Sequence, residues 1–65
     1  MKYKVGDKVK VRDDLSPHIG ASIEMCNLYA GKVVTIAYVN EDMEFYHIEG
    51  DPDKYPYFWD DIMFE

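Results

Sequence analysis

Lys32-Val33-Val34-Thr35-Ile36-Ala37-Tyr38-Val39 reads as a β-strand, because Val33, Val34, Thr35, Ile36, Tyr38 and Val39 are β-branched or aromatic residues that suit a pleated surface. Apolar residues stand on both alternating faces, so the strand is expected to be central in its sheet and covered on both sides for part of its length. Ala30-Gly31 leads into it. Asn40-Glu41-Asp42 leaves it as a polar turn, and Met43 to Glu49 is expected to return antiparallel, with Tyr46 and Ile48 facing inward and His47 and Glu49 outward.

Toward the N-terminus, Lys8 to Arg12 alternates strictly: Val9 and Val11 share one face, Lys8, Lys10 and Arg12 the other. That is the period of a half-buried strand, entered through a turn or bulge at Val5-Gly6-Asp7. Between it and the central run lies Asp13 to Ala30, long for a connection and therefore a candidate functional loop. Ile19 to Met25 is expected to pair back as a hairpin arm, and Met25 to Tyr29 to form one helical turn stopped at Gly31. Toward the C-terminus, Gly50-Asp51-Pro52-Asp53 has turn composition and Tyr55 to Trp59 reads as a strand. Residues 60–62 suit a 3-10 turn, and Ile62-Met63-Phe64 a last short strand. The sum is an all-β expectation, a small five-stranded SH3-like barrel filling residues 1–65 as a single domain. The connection from Gly50 to Lys54 is too short for the helix that an OB-type barrel carries there.

Several of these phrases resemble small SH3-like barrel proteins encoded by phages and prophages of Gram-positive bacteria: Val5-Gly6-Asp7-Lys8-Val9, Gly31-Lys32-Val33-Val34-Thr35-Ile36, Tyr46-His47-Ile48-Glu49 and Trp59-Asp60-Asp61-Ile62-Met63-Phe64-Glu65. The resemblance implies that fold and an accessory role for a phage or mobile element. It implies no activity. Likeness to signalling SH3 domains stops at architecture, since the loop from Asp13 to Cys26 has none of the rings that grip Pro-rich peptides.

At 65 residues the chain buries only about 60% of the surface it would expose unfolded, so its core must be efficient; 48% hydrophobic and 15% aromatic residues supply one. A single cysteine, Cys26, closes no internal disulfide and suits the reducing cytoplasm. The first residues build no signal-peptide core, and no stretch nears the roughly 20 apolar residues that span a bilayer. The net charge of −6 disfavours nucleic acid as a partner. It is unevenly spread: Lys2, Lys4, Lys8, Lys10 and Arg12 are all near the N-terminus, while from Asp13 onward only Lys32 and Lys54 face a surplus of carboxylates.

No cluster has the pattern of a catalytic or cofactor site. Asp51, Asp53, Asp60, Asp61 and His47 lack the ligand spacing of a calcium loop or zinc site, and Cys26 has no base beside it in the manner of a nucleophile. The expectation is a protein with no enzymatic activity, no metal and no cofactor. Function is expected in the aromatic group near the C-terminus. If Tyr57 and Trp59 face inward, Phe58 and part of Tyr55 face outward, and Tyr55, Tyr57, Phe58, Asp60 and Asp61 would make an aromatic and acidic surface for a protein partner. The alternative is a nucleic-acid contact by Lys8, Lys10 and Arg12, successive same-face residues about 7 Å apart. The sequence leaves self-association open.

Overall fold

The computed structural model describes residues 2–51 and 56–65. Among them the chain forms a three-stranded antiparallel sheet in the order β1 (Lys8–Lys10), β2 (Val33–Asn40), β3 (Phe45–Ile48), with one helix, α1 (Ile23–Tyr29), packed against it. Short 3-10 turns occupy Pro17–Ile19 and Asp61–Met63. This is an open α+β arrangement, and it overturns the expected five-stranded SH3-like barrel.

Two features account for the difference. The segment expected to add strands near the C-terminus contributes single bridges instead, Tyr46 with Trp59 and Val11 with Phe64. Pro56 has no N–H to give a ladder, and the Asp61–Met63 turn uses residues that a last strand would need. Trp59 exchanges both backbone bonds with Tyr46, at 2.8 and 3.0 Å; farther on, Glu65 N–H donates to Lys10 O at 2.9 Å. The C-terminal segment thus passes from the β3 edge to the β1 edge without extending the sheet.

The second feature is α1. No hairpin arm occupies Asp13 to Ala30; that stretch builds core through Leu15, Ala21 and Met25. The helix begins two residues before the expected turn. Ser22 caps it by accepting from Met25 N–H at 3.1 Å, while Ser22 N–H points at Met25 Sδ at 3.4 Å. A thioether thus takes the place that Glu or Gln holds in the usual capping box, which hides the start from a sequence reading. Gly31 follows the helix at φ +78, with its N–H directed at Val11 O and Arg12 O. A Cβ there would stand 2.6 Å from Asp13 Oδ1. Gly31→Ala is expected to cost about 1–2 kcal/mol, since the left-handed backbone and the displaced Asp13 act together. A fall in melting temperature of roughly 4–16 °C by circular dichroism would show it.

Strand β2 is central but covered on one side only. Its pairing runs Val34 with Val9 and Ile36 with Ile48, then shifts so that Tyr38 faces His47 and Val39 faces Tyr46. This bulge moves the inward set from even to odd positions: Val34 and Ile36 pack inward before it and Val39 after it. Apolar residues on both alternations therefore record a change of phase, and the opposite face, with Val33 and Tyr38, lies open. Beneath the sheet, Val9, Val11, Ile36, Tyr46, Ile48, Met63 and Phe64 close around Trp59, whose indole stacks on Phe64 at 5.6 Å and donates from Nε1 to Asp51 Oδ2 at 3.1 Å.

Candidate functional site

The outer face of β2 and β3 carries a group of rings that the core does not use. Tyr38 stacks on His47 at 5.4 Å with only 23° between planes, Phe45 lies 5.1 Å from His47, and Phe58 meets Phe45 edge-on at 4.8 Å. Each position follows from the backbone. Phe45 and His47 alternate with buried Tyr46 and Ile48, the bulge turns Tyr38 to the same side, and Phe58 is turned outward by its neighbour, buried Trp59. Phe58 is 63% exposed and Tyr38 46%, so the rings form a continuous surface. His47 Nδ1 lies 2.8 Å from Tyr57 O; a carbonyl only accepts, so Nδ1 carries the proton in this contact.

Carboxylates border this surface at the β2–β3 turn. Tyr38, Val39, Asn40, Glu41 and Asp42 line one shallow depression, and Glu41, Glu44, Asp60 and Asp61 line a second. Asn40 Oδ1 accepts from Met43 N–H at 2.9 Å and shapes the turn. Glu44 sits at φ +60, a conformation that Gly or Asn would adopt at lower cost. Glu44→Gly is expected to raise the melting temperature, its stability gain about 0.5–1 kcal/mol, measurable by thermal denaturation.

The residues expected to bind a partner are divided by the fold. Phe58 is exposed at the ring surface just described, whereas Asp60, also exposed, lines the second depression with Glu41 and Glu44, its Oδ2 4.0 Å from where a Cβ on Gly20 would stand. Tyr57 turns to α1: its hydroxyl donates to Glu24 Oε2 at 2.5 Å and its ring meets Tyr29 edge-on at 6.3 Å. Asp61 accepts from the hydroxyl of fully buried Tyr46, which itself accepts from Tyr3 N–H at 3.1 Å. Its carboxylate thus closes a structural network. Tyr55 lies outside the described residues. Tyr38, Phe45 and His47, which complete the surface, were absent from the sequence-based site. Outward alternation along β3 would have found Phe45 and His47, whereas Tyr38 depends on the bulge.

Of the basic residues Lys8, Lys10 and Arg12, the last two are occupied. Lys10 Nζ pairs with Glu65 at 2.7 Å and Asp13 at 3.2 Å, and Arg12 forks onto Asp14 with two bonds of 2.9 Å while also donating to Ile62 O. The guanidinium holds the Asp14 carboxyl below its ordinary range. Such exposed pairs add little stability, yet they lower the local positive potential that a phosphate backbone would need. Lys8 alone of the three makes no ion pair among the described residues.

Hydrogen bonding and burial also shift three phenols upward. Tyr57 is pushed to about 12 chiefly by its bond to the Glu24 carboxylate. Tyr29 rises through desolvation and the nearby Asp51, and Tyr46 through desolvation and its bond to Asp61. The native state thus favours the neutral phenols. Their contribution to stability is complete below pH 10, the ordinary phenol value, and is lost as pH climbs through each raised native value, about 12 for Tyr57. Absorbance titration at 295 nm should resolve a late-ionising class that shrinks in Tyr57→Phe; a single class near pH 10 would contradict these contacts.

Among the described residues no three His, Cys, Asp or Glu side chains converge as metal ligands would, and no helix is long and apolar enough to cross a membrane. No known family model, curated protein or solved structure matches this chain.

Proposed function

We propose that this protein is an interaction module without catalytic activity, and that it contacts a protein partner through the outer face formed by Tyr38, Phe45, His47 and Phe58. The observation that carries this reading is the set of neighbouring rings, 4.8–6.0 Å apart, on the open side of the sheet. Aromatic side chains anchor interfaces because they bury large area with few rotors to freeze, and a small domain is under no packing need to leave them outside. The proposed surface keeps Phe58 and Asp60 from the sequence-based site and replaces Tyr57 and Asp61, which the fold employs elsewhere. The half-buried free thiol of Cys26 supports a reducing, cytoplasmic setting. An accessory role for a phage or mobile element rests on the sequence resemblance.

Affinity capture from a nuclease-treated lysate tests the reading. A protein retained by the wild type and lost with Phe58→Ala is the expected result. Equal recovery by both would overturn it, and recovery only without nuclease would favour nucleic acid at Lys8, Lys10 and Arg12.

A further inference from the structure

The carboxylates at the two ends of the sheet differ in what they meet. Asp13, Asp14 and Glu65 are matched to Lys10 and Arg12 at the β1 end. Glu41, Asp42, Glu44 and Asp60, at the β2–β3 turn, meet no cation and no hydrogen-bond donor among the described residues. Four uncompensated carboxylates therefore gather at the turn beside the exposed rings, and Glu49, just past β3, is a further one. A left-handed backbone position that suits glycine holds one of these acids, Glu44. The sequence keeps charge at the rim at some cost in local strain.

Aromatic faces and carboxylates together select one chemistry. A guanidinium is planar, is attracted to the negative face of a ring, and forks onto carboxylates; a phosphate is repelled by the same rim. From this we infer that the occupant of the outer face is an arginine-bearing basic segment of another protein, its guanidinium groups lying over Phe58, Phe45 and Tyr38 and pairing with Glu44 and Asp60. A second copy of this chain is a poor match, since its one arginine, Arg12, is already paired with Asp14. This inference rests on the proposed interaction surface and adds the chemistry of its partner.

The test uses the whole chain and a fluorescein-labelled peptide of alternating arginine and glycine, read by anisotropy at low and near-physiological salt. Saturable binding is expected, weakened roughly three- to thirtyfold by Phe58→Ala through loss of the ring contact. The double variant Glu44→Gln, Asp60→Asn should weaken it about tenfold and flatten its salt dependence, whereas Asp13→Asn, Asp14→Asn, with the same change in net charge, should leave it within about twofold. Circular dichroism confirms that each variant is folded. Equal weakening by the two double variants would reduce the effect to bulk charge and overturn the inference. So would absent binding, preference for an aspartate-glycine peptide or for single-stranded RNA, or self-association through the same face. If Phe58→Ala still abolishes protein capture while the arginine peptide fails to bind, only the basic character of the partner is withdrawn. Loss of both results withdraws the surface itself.

Discussion

Trp59→Ala is expected to unfold the protein at 25 °C. The indole is fully buried, stacks on Phe64, meets Tyr29 edge-on at 5.4 Å, and donates to Asp51. Truncating a buried tryptophan costs about 3–5 kcal/mol, and a domain of this size has on the order of 5 kcal/mol in total. The backbone bonds of residue 59 to Tyr46 also fix the C-terminal segment on the β3 edge, so its loss would spread beyond the cavity. Far-ultraviolet circular dichroism and a denaturant titration would register it. Trp59→Phe, which keeps a ring and loses only the bond to Asp51, should remain folded at lower stability, and equal behaviour of the two variants would show that ring packing is not what holds this core.

Asp61→Lys is expected to damage the fold, while Asp60→Lys, one residue away, leaves it intact. Asp61 is exposed as a residue, yet one oxygen takes the proton of buried Tyr46. Removing that acceptor leaves a hydroxyl inside the core with no outlet, at a cost of about 1–3 kcal/mol, and an ammonium cannot accept in its place. Asp60 supplies its backbone carbonyl to Met63 N–H at 3.0 Å, a bond that survives any change of side chain. Melting curves of the two variants should therefore separate by roughly 4 °C or more. Coincident curves would mean that Tyr46 finds another acceptor, and Asp61 would then return to the set of binding residues.

The contrast between these aspartates shows how far the sequence could be read. Alternation identified Val9, Val11, Tyr46 and Ile48 as inward residues, because a strand with one wet face has only one way to hide its apolar side chains. It also placed Phe58 outside and Trp59 inside. Alternation is local, however, and the bulge between Ile36 and Tyr38 breaks the count, so β2 looked two-sided when it has an open face. The barrel expectation failed for a related reason. Trp59 and Phe64 have strand-like neighbours but make one bridge each, and how far a ladder extends depends on tertiary contacts that periodicity does not carry. Which of Asp60 and Asp61 joins the core network depends on which of them reaches Tyr46, fifteen residues away from Asp61 in the chain. Adjacent identical residues give a sequence no means of deciding it.

The site shows the same division. Rings and carboxylates could be counted near the C-terminus, yet their gathering on one face required Tyr38 and Phe45 to meet Phe58 from another part of the chain. Tyr57, one position from Phe58, points to the helix instead. An interaction surface on a sheet is a property of pairing register, and only the backbone fixes that.

The most direct test of the central claim is a nitrogen-15 correlation spectrum of the labelled protein, recorded with and without the partner recovered by capture. The account predicts amide shifts concentrated in residues 38–47 and 58–60, on the ring-bearing face and its acidic rim. Shifts centred on Lys8, Lys10 and Arg12, with the outer face of β2 and β3 unperturbed, would contradict it.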